Sequence, residues 1–141
     1  MASLFTRIID GELPGRFLWK DDLCVAFLTI APITPGHTLV VPREPVDHWL
    51  DAPPPLLHHL TDVGATVGRA LLATYQPPRV GMMIAGLEVP HLHLHVLAIE
   101  TMADMDFRRA DPTAPAEALD DAHTRLSGAL RELGLGANVP D

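Results

Sequence analysis

The densest chemistry in this 141-residue chain lies in one run, His91-Leu92-His93-Leu94-His95-Val96-Leu97. Side chains of extended backbone alternate between two faces. His91, His93 and His95 therefore share one face, and Leu92, Leu94 and Val96 share the other. A solvated face is made more cheaply from Thr, Lys or Glu, so three aligned imidazoles point to chemistry. Imidazole titrates near neutrality, so neutral and protonated rings can coexist in one site. A neutral ring is a competent nucleophile towards phosphorus, and cationic neighbours lower the pKa of a central ring and keep it neutral. Metal ligation is the rival use. Same-face residues stand about 6.6 Å apart and the outer pair about 13 Å apart, whereas metal–nitrogen bonds are about 2.0–2.1 Å. Two neighbouring rings can meet on one ion, but a third ligand would have to come from another strand.

The elements around the run suggest how it is held. Gly86-Leu87-Glu88-Val89-Pro90 leads into it, and the glycine lets backbone N–H groups approach a phosphate. Ser3 caps a short helix over roughly 4–10, ended near Gly11. Residues 17–19 and 23–28 read as a hairpin around Lys20-Asp21-Asp22. His37 to Val41 is a third strand, closed by Pro42. Proline is welcome in a helix's first turn, and Pro53-Pro54-Pro55 opens one in which Leu56, Leu60, Val63, Val67 and Leu71 recur at steps of three or four. Gly64 and Gly68 weaken that helix, for which close packing on a sheet is a reason. Residues 80–84 and 92–99 are two more strands, 101–111 an irregular acidic stretch, and 119–133 a last helix stopped by Gly134 and Gly136. The order predicts an α+β domain with a five-stranded, mainly antiparallel sheet, one main helix, a short N-terminal helix and a C-terminal helix.

Composition bounds the partners. The length suits one domain, and 48% hydrophobic with 20% charged residues is globular composition. A formal net charge of −8 repels nucleic-acid backbone and anionic lipid, while leaving room for a small phosphorylated ligand. Cys24 is the single cysteine, so no internal disulfide or cysteine-cluster metal site is expected. No stretch has the length and apolarity of a membrane span, and no secretory signal is visible. A cytoplasmic protein that binds no nucleic acid and no membrane is expected.

The run matches the His-φ-His-φ-His-φ-φ signature, with φ apolar, at every position, and the chain resembles the histidine triad (HIT) family in its small nucleotide hydrolase and transferase branch. Phe5 to Pro14, Ala26 to Pro32 and Pro35-Gly36-His37-Thr38-Leu39-Val40-Val41-Pro42 resemble the family's opening, second strand and Pro-Gly-His block. The match covers about residues 3–100, making 1–100 the expected domain core and 101–141 an extension whose helix packs on the same domain. The resemblance implies a nucleotidyl hydrolase or transferase acting at the α-phosphorus of a nucleoside phosphoramidate or dinucleoside polyphosphate. His93 would form a covalent nucleotidyl-histidine, His95 would contact phosphate oxygens and help protonate the leaving group, and His91 and His37 would support the network. Thr29, Ile30, Gly86, Leu87, Glu88 and Val89 would bind substrate. No cofactor or metal is implied, and a homodimer is expected.

Departures from the family pattern keep alternatives open. Thr29 stands where an acidic or amide residue often meets the ribose, Glu88 where many members carry a small hydroxyl, and Leu87 where Gln is common. Ser3 and Thr6 replace a pair of zinc-binding cysteines found in some members. Glu88, Thr29 and a loop between the fourth and fifth strands that is shorter than usual motivate a second reading, a catalytically weak nucleotide-binding or regulatory protein. A third is a cupin-like metal enzyme, because His93-x-His95 with Glu100 loosely resembles a cupin ligand set, though the glycine after the Glu is missing. Elsewhere His48, His58 and His59 read as surface or interface groups, His123 as solvated, and Arg108-Arg109 as a solvated pair flanked by Asp.

Overall fold

The computed structural model describes residues 2–141. Helix α1 (Leu4–Ile9) is followed by strands β1 (Phe17–Lys20), β2 (Cys24–Leu28) and β3 (Thr38–Pro42), and then by the long helix α2 (Pro54–Tyr75). Strands β4 (Arg79–Met83) and β5 (Leu94–Ile99) precede helix α3 (Ala116–Glu132). The sheet runs β1-β2-β3-β5-β4, and each neighbouring pair is antiparallel. This is the expected α+β class. An open sheet with three helices is not a closed barrel, so the cupin-like reading falls with the fold.

Every residue of β2 and β3 is buried, because both faces of the sheet are covered. Cys24, Ala26, Leu28 and Val40 face the helical layer, where Leu60, Val63, Val67 and Leu71 of α2 and Leu126 and Leu130 of α3 fill one core. Val25, Phe27, Leu39 and Val41 face the other way, onto Phe5 of α1. Leu92, Leu94 and Val96 join the helical core, as the alternation predicts. His95 pairs with Leu39 across β3 and β5, which assigns it to the α1 face of the sheet. Among the described residues, no helix is long and apolar enough to cross a membrane.

Several local expectations change. Strand β5 starts at Leu94, so His91 and His93 lie just ahead of it in extended chain anchored by Leu92 N donating to Val46 O at 2.7 Å. A Cβ on Gly64 would meet Met82 Sδ at 3.5 Å, and one on Gly68 would meet Val80 Cγ1 at 3.4 Å. Both are ordinary contacts, so close packing does not demand these glycines. Residues 101–111 are not irregular throughout: they form two 3-10 turns, Met102–Met105 and Phe107–Arg109.

The tip of the β1–β2 hairpin carries its own histidine. Asp21 Oδ1 accepts from the N–H groups of Leu23 and Cys24, each at 2.8 Å, and Oδ2 accepts from Trp19 Nε1 and His59 Nε2, each at 2.7 Å. His59 is therefore a tether between α2 and the hairpin rather than a surface group. His123 is likewise engaged, its Nε2–H donating to Phe17 O at 2.8 Å. The C-terminal tail closes one sheet edge: Lys20 N donates to Asn138 O at 2.9 Å, and Asn138 Nδ2 donates to Lys20 O at 3.0 Å.

Candidate active site

The loop before β3 sets the first half of the site. Gly36 has φ of +84°, and a Cβ there would lie 2.9 Å from Leu71 Cδ2 and from Tyr75 Cε2. Glycine alone relieves both constraints, so the chain turns tightly and delivers His37 to the start of β3. His37 N donates to Thr34 O, and Thr29 N donates to His37 O, both at 3.1 Å. The ring is 2% exposed. Its Nδ1 accepts from the backbone N–H of Ile33 at 3.1 Å. An amide N–H can only donate, so the proton of neutral His37 sits on Nε2. Nε2 lies 2.9 Å from His95 Nδ1 and donates to it. His95 then carries its own proton on Nε2, the nitrogen at the far side of the ring.

The second half has the opposite polarity. Ser3 Oγ accepts from Thr6 N at 3.0 Å and caps α1. The same oxygen lies 2.7 Å from His91 Nδ1, while His91 Nε2 lies 2.7 Å from Pro42 O. A carbonyl only accepts, so His91 donates through Nε2 and receives the Ser3 hydroxyl hydrogen at Nδ1. The carbonyl of His91 accepts from His93 Nδ1 at 2.7 Å. The proton of neutral His93 is thereby fixed on Nδ1, and Nε2 keeps its lone pair. The His93 and His95 rings pack edge to face with centroids 4.9 Å apart. Neither Nε2 has a protein partner among the described residues.

Burial keeps these rings neutral. Desolvation pushes His37 down to about 4. Desolvation, with His37 and His93 as neighbours, pushes His95 down to about 3. His91 and His93 are also lowered, first by burial. At neutral pH the pair thus presents a lone pair on one ring and an N–H on the next, which suits attack on an atom whose substituent accepts a hydrogen bond.

Both rings open onto a cavity of about 660 Å³, within the range of small-ligand sites. Its walls are mostly apolar: Phe5 and Ile8 of α1, Leu13 of the turn after it, Phe27 and Leu39 of the sheet, and Val89 from the loop before the triad. Of the residues expected from sequence, His93, His95, Thr29, Ile30, Glu88 and Val89 line it. His91 and His37 lie behind it, in the network. Gly86 and Leu87 do not line it, and Leu87 is 94% exposed. Thr29 Oγ1 accepts from Ala31 N at 3.1 Å, so its oxygen already holds the strand exit.

Phe107 was not legible beforehand. Its ring packs edge to face on His95 with centroids 4.7 Å apart, so the segment after β5 covers one side of the triad. Arg108 and Arg109 flank it, paired with Asp106 at 2.7 Å and Asp104 at 3.3 Å. Ser3 and Thr6 offer the His91 end two neutral hydroxyls, which are not the Cys, His and carboxylate ligands that zinc takes. Here the serine hydroxyl bonds the imidazole itself.

The family model described as HIT domain matches residues 10–102. An uncharacterized HIT-like protein of Synechococcus elongatus is 34% identical over 106 residues, covering 72% of this chain and 93% of that protein. One from Mycobacterium tuberculosis is 36% identical over 102 residues, covering 69% and 71%. Among solved structures, a zinc-bound histidine triad family protein from Mycobacterium smegmatis superposes with a TM-score of 0.81 at 27% identity, covering 95% of this chain and 96% of that one. A hypothetical histidine triad nucleotide-binding protein from Sulfolobus tokodaii shares the fold, with a TM-score of 0.79 at 23% identity over 97% and 99% of the two chains.

Proposed function

The chain belongs to the HIT family, and from that premise we propose that it is a nucleotidyl hydrolase or transferase working through a covalent nucleotidyl-His93. The observation that carries this reading is the opposed fixing of two neighbouring rings: the His91 carbonyl leaves His93 Nε2 unprotonated, and the Ile33–His37 relay leaves His95 Nε2 protonated. With an α-phosphate above the triad, His95 Nε2–H bonds a phosphate oxygen and His93 Nε2 attacks phosphorus. The bond from phosphorus to the leaving group breaks as the phosphorus–Nε2 bond forms. The adduct ring is cationic, and its Nδ1–H remains on the His91 carbonyl.

A neutral His37–His95 pair has no proton to give away outright. The arriving phosphate anion favours the pair's protonated form, so the pair takes up one proton on binding and His95 passes it to the departing amine. Water then attacks phosphorus and returns a proton to His95, the phosphorus–Nε2 bond breaks, and a nucleoside monophosphate leaves. The apolar wall with Ile30 and Val89 suits a base, and Thr29 retains a hydroxyl hydrogen to offer the sugar. A cytoplasmic homodimer remains the expected setting, testable by sedimentation.

Mixing the protein with an adenosine phosphoramidate, quenching rapidly and weighing the chain tests the mechanism. One added nucleotidyl group on His93, lost with time as monophosphate appears, is the expected result. Turnover that survives His93→Ala would overturn it. A second reading, a nucleotide-binding protein with slow turnover, is favoured by Glu88 standing unpaired in the cavity wall; stable binding of a monophosphate without any adduct would select it.

A further inference from the structure

The cavity is poor in positive charge for a site that receives phosphate. Its charged lining residues are Arg16, Glu88 and Asp120. Arg16 Nε donates to Asp120 Oδ1 at 2.8 Å, so the one guanidinium is already neutralised. The two arginines next to Phe107 are held by Asp106 and Asp104. The triad rings themselves are neutral. Glu88 has no hydrogen-bond or ion-pair partner among the described residues, leaving one carboxylate in excess on a cavity of a chain whose net charge is −8. The loop carrying Glu88 runs straight into the triad, since Val89 O accepts from His91 N at 2.8 Å.

An uncompensated carboxylate beside the reaction centre repels added negative charge and attracts a cation. A dinucleoside polyphosphate brings several negative charges past Glu88. A nucleoside phosphoramidate brings one, on the phosphoryl group, where His95 Nε2–H can hold it. Resting on the hydrolase reading above, we infer that Glu88 selects the leaving group: this site takes nucleoside phosphoramidates whose departing amine carries a second, positively charged ammonium group, and it disfavours anionic leaving groups. Glu88 and His93 line the same cavity; burial holds the basicity of His93 below the ordinary histidine value, and the Glu88 charge acts on that ring in the opposite sense.

The test uses two adenosine phosphoramidates that differ only in the amine, propylamine against 1,3-diaminopropane, with a dinucleoside triphosphate as the anionic case. The native chain is expected to favour the diamine conjugate in kcat/KM by about fivefold or less at low salt, the upper size of an exposed ion pair, and less in high salt. Glu88→Gln is expected to erase the preference and Glu88→Lys to reverse it, with a gain on the triphosphate. Glu88 is exposed, so both variants should fold. Comparing the two conjugates between native chain and variant cancels any difference in intrinsic reactivity. Affinity of the same conjugates for His93→Ala gives a readout that needs no turnover. Turnover with equal preference in native chain and Glu88→Gln overturns this inference and leaves the hydrolase reading standing. No turnover, but an affinity preference that Glu88→Gln removes, sinks hydrolysis and overturns leaving-group selection, leaving Glu88 only a preference for cationic ligands. No preference in either readout overturns it.

Discussion

Around His37, His91, His93 and His95, inward-facing ring nitrogens meet backbone groups, the Ser3 and Thr6 hydroxyls or another neutral ring. Around His59, by contrast, the ring meets a carboxylate at 2.7 Å. The Asp21 carboxyl is pushed up by burial, but its hydrogen bonds from Trp19, Cys24, Leu23 and His59 outweigh that and bring it down to about 2. Donor atoms of Asp21, Cys24 and His59 lie within 4.8 Å of one another. Yet four N–H groups already saturate that carboxylate, and burial first, then Asp21, pushes the Cys24 thiol up to about 12. The lesson is about charge. A carboxylate beside a histidine fixes two elements together and spends its charge on doing so. The triad keeps no carboxylate in contact, so each ring's orientation is set without fixing a charge, and the outer nitrogens stay available for a ligand.

The contrast predicts that damage at one network costs activity and at the other costs stability. The largest effect belongs to His93→Ala, which should lower single-turnover release of monophosphate by about 10⁴-fold or more while the fold is kept; the variant's melting curve checks the second half. Acid comes next. An unfolded histidine titrates near 6.5, whereas buried His37 holds off its proton until about pH 4. Below pH 6.5 the unfolded chain therefore binds protons that the folded chain refuses, so stability is full above 6.5 and falls as pH drops towards 4. For His37 alone the loss is about 3 kcal/mol, measurable by urea denaturation across that window. His37→Phe should flatten the curve and slow turnover about 100-fold, because the His95 tautomer is no longer imposed.

Asp21→Asn should cost about 1–3 kcal/mol by turning an amide towards the Trp19 and His59 donors, with turnover unchanged at a temperature where the variant is folded. Lost activity in fully folded Asp21→Asn would break the comparison. Ser3→Ala sharpens it, since it removes both the α1 cap and the donor to buried His91: about 1 kcal/mol of stability and less than tenfold in rate are expected. His59→Ala, at a ring about one-third exposed, should cost less than 1 kcal/mol and nothing in rate.

Much of the frame could be read from the chain itself. Apolar steps of three and four located α2 through Leu56, Leu60, Val63, Val67 and Leu71, because a helix must bury one stripe. Alternation assigned Leu92, Leu94 and Val96 to the core for the same kind of reason. Long-range contacts left no such trace. His91 turns from the cavity because Ser3, 88 residues away in sequence, holds its ring. Phe107 reaches His95 through short 3-10 turns that have no hydrophobic period. His59 reads as a surface or interface group and Asp21 as part of a hairpin turn, since neither sequence neighbourhood names the other.

The N–H of Ile33 has one further implication. A peptide bond does not titrate in the range where proteins live, and it has a direction. As long as His37 and His95 share no extra proton, the orientation of that single amide decides which end of the pair gives hydrogen and which receives it. The site is thus polarised before any ligand arrives, like a two-terminal device wired from the main chain. A surface substitution can alter how strongly it works but cannot swap its terminals. Reversing them would take a flip of the peptide plane between Pro32 and Ile33, which puts the control of proton direction in a stretch of loop that contributes no catalytic side chain.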